Sequence, residues 1–284
     1  MRMYSAGLIF EGGGMRGVYT AGVIDAFLDN DLAFSSCYGV SAGACNAASF
    51  IARQRGRAYR VTTEYIGDKR YCSIQNLLKT GNLFGPDMLY HIIPEELDPY
   101  DYEAFTRYTG KLSVVATNCE TGKAEYFHLK NMREEVDMLQ ASSSLPLLAE
   151  IVRIDGNGYL DGGVSDSIPL QRSIADGNFK NIIVLTQDAS YRKEPMKIIP
   201  ILNLVYRKYP NFVQQLATRH LRYNQTLDLL AKEESADRAF VLRPKKPVKI
   251  GRIETNKAKL AALYDDGYRE TMERMNDLIA FLEK

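Results

Sequence analysis

Gly39-Val40-Ser41-Ala42-Gly43 stands between two different periodicities. Ahead of it, residues 35–40 form a short apolar-rich run of strand length; behind it, Ala44, Ala47, Ala48 and Ile51 recur at helical intervals. A strand that enters a helix through G-x-S-x-G makes a sharp, strained turn, the nucleophile elbow. Gly39 and Gly43 lack Cβ and let strand and helix approach, which leaves the Ser41 hydroxyl at the strand's C-terminal edge. The helix N-terminus beyond it offers partial positive charge to an oxyanion. A serine that merely caps the helix is the plainer alternative. The strand before and the helix after favour a nucleophile.

Reading outward, residues 6–10 are another buried-strand run, closed by Gly12-Gly13-Gly14, and Val18, Ala21, Ile24 and Leu28 mark a following helix. Strand, helix, strand, helix in this order predicts βαβ units and a parallel sheet. Residues 112–117 and 124–129 read as strands joined through Glu120-Thr121-Gly122, and 151–154 and 158–160 flank a turn at Gly156. Residues 181–186 and 240–242 are further strands. Between them, residues 53–105 read as short helices and loops around an opening, punctuated by Gly81, Gly85, Pro86, Pro94 and Pro99. Tyr65, Tyr71, Tyr90, Tyr100 and Tyr102 in this region could line an acyl groove, although scattered tyrosines ordinarily pack. Steps of three and four from Leu260 to Leu282 predict one closing amphipathic helix. Arg207, Lys208, Arg219 and Arg222 read better as the solvated face of a core helix than as a lipid-docking surface. Lys245, Lys246 and Lys249 read as an exposed loop.

Composition narrows the function classes. The chain has 284 residues, 45% hydrophobic and 25% charged, enough for a substantial core. Lys and Arg outnumber Asp and Glu by 36 to 35, so no whole-chain field draws nucleic acid. Cys37, Cys45, Cys72 and Cys119 form no C-x-x-C pair and read as reduced thiols, mostly buried. The first apolar stretch breaks at Glu11, and it fits neither a signal peptide's core of ~7–15 apolar residues with its cleavage site nor a membrane span of ~18. The expectation is a cytoplasmic protein, any membrane contact being peripheral and at the inner face.

Two further motifs carry chemistry. In Gly12-Gly13-Gly14-Met15-Arg16-Gly17, three glycines can turn backbone N–H groups toward one point, suited to an oxyanion or a phosphate. Gly12, Gly14 and Gly17 also satisfy G-x-G-x-x-G, yet the second strand ends in Ser41 where a dinucleotide site needs a ribose-binding acid. Arg16 reads as a solvated cation near a helix start, the sharper alternative being an anionic neighbour such as a buried carboxylate or a substrate headgroup. Asp161-Gly162-Gly163 alone is a common turn. Paired with Ser41 it gains weight, because a serine nucleophile needs a base and His91, His128 and His220 stand in no comparable glycine-rich turn.

Taken together, EGGGMRG, GVSAG and DGG in that order resemble the patatin-like phospholipase family, including its bacterial members. Ala141-Ser142-Ser143-Ser144-Leu145-Pro146 looks like that family's stretch before DGG, and Gly163-Val164-Ser165-Asp166-Ser167-Ile168-Pro169 like its continuation. The resemblance implies a three-layer α/β/α fold with a mostly parallel central sheet, the catalytic core over 6–173 and a helix-rich remainder, 174–284, completing or extending the same domain. It implies lipid acyl-ester hydrolysis without metal or cofactor, with Ser41 as nucleophile, Asp161 as general base and Gly12, Gly13 and Gly14 as the oxyanion hole. Arg16, Gly17, Gly39, Gly43, Gly162 and Gly163 would support these motifs. The partner expected is a lipid or other acyl-ester substrate, with no nucleic acid; the oligomeric state is left open. Three alternatives stand beside it, one of them a catalytically silent membrane-binding protein that an ester assay would separate from an enzyme. An α/β-hydrolase with a Ser–Asp–His triad has only His220 available after Asp161. A nucleotide-binding oxidoreductase lacks the ribose acid.

Overall fold

The computed structural model describes residues 2–284. Strand β1 (Arg2–Phe10) leads through a short 3-10 turn (Gly14–Gly17) into helix α1 (Val18–Asp29), and β2 (Leu32–Val40) leads through Ser41 into α2 (Ala42–Ile51). Short helices α3 (Arg57–Thr63), α4 (Ile74–Thr80) and α5 (Tyr102–Arg107), with a π-helical stretch at Met88–Leu97, fill the region read as loops around an opening. The β3 (Lys111–Asn118) and β4 (Ala124–Leu129) strands form the expected hairpin, followed by α6 (Val136–Ser143). A second hairpin, β5 (Val152–Ile154) and β6 (Asn157–Asp161), precedes α7 (Leu170–Ala175) and β7 (Asn181–Val184). The C-terminal part holds α8 (Ile199–Val205), α9 (Pro210–Ser235), β8 (Ala239–Leu242), α10 (Lys257–Glu273) and α11 (Met275–Glu283).

Among the described residues these strands form one eight-stranded sheet in the order β5-β6-β3-β2-β1-β7-β8, with β4 also on β3. The β3-β2-β1-β7-β8 run is parallel, and β4, β6 and β5 pair antiparallel at one end. The period-two alternation of β1 explains the layers. Leu8 and Phe10 join one core with residues of α1, α2, α10 and α11, whereas Ile9 joins a second core with Ile183, Val241 and the α7 and α9 residues Leu170, Tyr223 and Leu230. Helices thus cover both faces, the expected three-layer α/β/α architecture.

One expectation needs correction. The closing helix is two helices, α10 and α11, separated at Arg274. Arg274 donates from Nη1 to the Val241 carbonyl oxygen and lies 4.2 Å from the centre of the Phe240 ring, so contacts to β8 hold the break that periodicity alone does not register. No helix among the described residues is long and apolar enough to cross a membrane.

Candidate active site

The register of β3 brings the distant motifs together. Strand β4 occupies one edge of β3 from Leu112 to Thr117, so β2 and β6 must share the other. Val40 pairs with Val115 at the end of β2, and Asp161 pairs with the next residue, Ala116. Ser41 leaves the sheet directly after Val40, beside the end of the strand that carries Asp161.

The turn at Ser41 has the strained geometry of an elbow. Its φ is 55° and ψ −128°, a conformation rarely adopted by a residue with a side chain. Close approach explains the flanking glycine at 43, where a Cβ would lie 2.4 Å from the Phe10 carbonyl oxygen. Gly39 meets the Ala44 backbone in the same way. The Ser41 N–H donates to Ser142 Oγ at 2.9 Å, and the Asp161 N–H donates to the Ser144 carbonyl oxygen at 2.8 Å. One short segment at the end of α6 therefore holds both motif residues by their backbones.

Asp161 is 4% exposed. Its Oδ1 accepts the Gly163 N–H at 2.7 Å, while Oδ2 is buried and has no hydrogen-bond partner. Gly162 tolerates no side chain: a Cβ there would sit 2.0 Å from the Val115 carbonyl oxygen. Gly12, Gly13 and Gly14 follow β1 at the same end of the sheet, and Gly12 passes so close that a Cβ would lie 3.0 Å from that of Ser41. Gly17 caps α1, and its carbonyl oxygen accepts from Asn46 Nδ2 at 2.8 Å.

Two cavities meet at Ser41, sharing Gly14, Ser41 and Leu145 as lining. The larger encloses about 180 Å³ and is mainly apolar. Tyr71, Tyr90, Tyr100 and Tyr102 line it together with Leu89 and Leu148. The Tyr65 ring lies 6.2 Å from that of Tyr71, tilted by 40°, but does not line the cavity. The smaller is polar and is lined by Gly12, Gly13, Asp161 and Gly163 as well as several charged side chains. His91, His128 and His220 line neither of these two cavities. Of the thiols, only Cys45 borders one, and all four are free.

The reading of the basic residues changes with the structure. Arg16 is half-buried, not a freely solvated cation: burial pushes its pKa down and the Glu11 carboxylate opposes that shift, although no ion pair closes between the two side chains. Glu11 is itself buried and accepts from the Thr186 N–H and Oγ1 and from the Tyr223 hydroxyl. Arg219 and Arg222 do not lie on a solvated helix face. Arg222 Nη2 donates to the Val164 carbonyl oxygen at 3.1 Å, and Arg219 Nη2 donates to Ser167 Oγ at 3.2 Å. Both turn inward because the loop after Gly163 offers oxygen acceptors to α9. Arg207 and Lys208 are exposed as expected, but they lie in the turn between α8 and α9 and not on a helix face.

Sequence reasoning missed Lys193 and Arg252, which join Arg16 and Arg219 in the small cavity. Each comes from a loop without periodicity. Glu11 carried a usable signal, an acid set between a buried strand and three glycines.

The patatin-like phospholipase family profile matches residues 8–173, and a domain of unknown function matches residues 209–283. The uncharacterized protein YjjU of Escherichia coli (strain K12) is 28% identical over 230 residues, covering 73% of this chain and 64% of the relative. The chain thus spans less than two thirds of that relative's length. The crystal structure of VipD from Legionella pneumophila aligns with a TM-score of 0.52 at 13% identity, covering 96% of this chain and 67% of that one, a likeness of fold.

Proposed function

The chain belongs to the patatin-like phospholipase family, and from that membership and the geometry at Ser41 we propose that it hydrolyses acyl esters of lipids with Ser41 as nucleophile and Asp161 as general base. As Ser41 Oγ attacks the ester carbonyl carbon, Asp161 Oδ2 takes the hydroxyl proton. Backbone N–H groups of Gly12, Gly13 and Gly14 stabilise the oxyanion of the tetrahedral intermediate. Its collapse breaks the bond to the alcohol, which leaves with the proton from Asp161. Water then attacks the acyl-enzyme, giving its proton to Asp161, and Ser41 is regenerated as the fatty acid departs.

The observation that supports this reading most is the unpartnered, buried Oδ2 of Asp161 in the same narrow cavity as Ser41. A structural turn aspartate would have both oxygens satisfied or solvated. The apolar cavity on the other side of Ser41 suits an acyl chain. Peripheral contact with a lipid surface belongs to the same proposal. Leu204 is 72% exposed on α8 with Ile201 and Val205 beside it, and Arg207 and Lys208 follow. Tyr206, between them, accepts the N–H of Leu147, whose neighbour Leu148 lines the apolar cavity.

The test is direct. Purified protein is incubated with phospholipids, lysophospholipids and triacylglycerols, and released fatty acids are identified by mass spectrometry. A fluorophosphonate probe should label the wild type and leave Ser41→Ala unlabelled and inactive. Wild-type turnover in folded Ser41→Ala would end the enzymatic reading.

A further inference from the structure

The small cavity beside Ser41 carries more positive charge than the proposed chemistry uses. Arg16, Lys193, Arg219 and Arg252 line it against two carboxylates, Glu11 and Asp161. Glu11 is already engaged by Thr186 and Tyr223, and among the described residues none of the four cations has an ion-pair partner within 4.0 Å. The Nε atoms of Arg16 and Arg219 are buried without a hydrogen-bond partner. Arg16, Lys193 and Arg219 are half-buried, whereas Arg252 is exposed, and desolvating the first three without a counter-charge is costly.

The groups also repel one another. Burial, followed by the charges of Arg219, Arg252 and Arg16 against the opposing pull of Glu11, pushes the Lys193 ammonium down to about 7. Burial, then Arg252, pushes Arg219 down to about 10, with Asp161 and Glu11 opposing. The Lys193 ammonium lies 4.4 Å from the centre of the Tyr223 ring and donates to the Tyr191 hydroxyl at 3.5 Å. An anion in the cavity would relieve all of these interactions at once.

Its position relative to Ser41 says which part of a substrate that anion belongs to. An ester held at Ser41 with its acyl chain in the apolar cavity directs its alcohol into the cationic one. We propose that Lys193, Arg219 and Arg252, with Arg16, form a subsite for a phosphate or carboxylate group carried on the leaving alcohol, so that the protein selects acyl esters of anionic alcohols over neutral or zwitterionic ones. This rests on the reading of Ser41 as nucleophile. Three of the four cations lie outside the stretch matched by the patatin-like profile, and two lie within the C-terminal domain of unknown function. Anion recognition is then what that C-terminal segment adds to the hydrolase core. Its Arg252 carbonyl oxygen accepts the Met15 N–H at 3.0 Å, which ties the segment to the glycine loop.

The experiment compares three esters with the same acyl chain: 1-acylglycerol 3-phosphate, 1-acylglycerol and 1-acylglycerophosphocholine. The expected wild-type kcat/KM is at least tenfold higher for the phosphate monoester than for either other ester. Lys193→Met and Arg219→Gln should each reduce that preference at least tenfold. Should Arg219→Gln fail to fold, Lys193→Met carries the comparison. Inorganic phosphate should inhibit competitively, more weakly in Lys193→Met. Equal kcat/KM for the three esters, or a preference untouched in folded Lys193→Met, would overturn the proposal. So would phosphate that binds without competing, which would mark a site for the free ion instead of a substrate headgroup. Hydrolysis of none of the three, with no labelling of Ser41 by fluorophosphonate, would instead remove the underlying reading.

Discussion

Asp161 Oδ1 accepts the backbone N–H of Gly163 at 2.7 Å, which leaves its second oxygen buried and without a partner. One half of the carboxylate is thereby anchored and the other is available. An asparagine can reproduce the anchored half, since its amide oxygen still accepts from Gly163, while its amide nitrogen cannot accept a proton. Asp161→Asn should therefore fold normally and lose on the order of 10² or more in kcat. Near-wild-type turnover in this variant would return Asp161 to a turn residue.

The three histidines separate a dyad from a triad. His220 is the only one that follows Asp161 in the chain, and it lies on α9 with Nδ1 buried and unpartnered. His128 contacts Ser113 Oγ through Nδ1 at 2.8 Å on β4, and His91 is exposed. Replacing each with Gln should leave hydrolysis per folded molecule within a few-fold of wild type. A catalytic histidine would cost about 10³-fold or more. Collapse of turnover in folded His220→Gln alone would replace the dyad by a triad.

Ser142 acts on Ser41 through the backbone. Ser142→Ala removes the acceptor of a buried N–H in a strained turn, a loss of about 1–3 kcal/mol for an unsatisfied buried donor. Urea unfolding should register that loss, and kcat should fall while KM changes little, because the misplaced group is Ser41 and not the cavity walls. Unchanged stability and unchanged kcat would show that the bond positions nothing.

Gly162→Ala tests the close approach of the DGG turn to β3. Its Cβ would meet backbone, the Val115 carbonyl oxygen at 2.0 Å, which no side-chain rotation relieves. Destabilisation of about 2 kcal/mol or more is expected, the scale of an overpacked interior. Gly156→Ala, with nothing within 4 Å of the added Cβ, makes the comparison, its strain arising from a φ of +81° alone. Equal unfolding free energies for Gly162→Ala and wild type would refute the steric account.

The amino-acid sequence by itself determined the elements that local chemistry governs. The strand-to-helix turns at Gly12–Gly14 and at Ser41 were legible because hydrophobic period changes across each and glycine marks the sharp bend. The C-terminal helical pattern was legible too, but its break at Arg274 was not, because contacts to β8 hold it. Only tertiary structure brought Asp161 beside Ser41. That juxtaposition depends on β2 and β6 sharing one edge of β3, and strand pairing across 120 residues of chain leaves no periodic trace. The inward turn of Arg219 illustrates the same limit. Helical spacing says which residues share a face with Arg219, but what that face meets is decided by whichever loop packs against it, here the oxygen-rich loop after Gly163. The cationic subsite is wholly of this kind: four residues from four separate segments, each polar and unremarkable in its own neighbourhood, become a site only because the fold gathers them around one cavity.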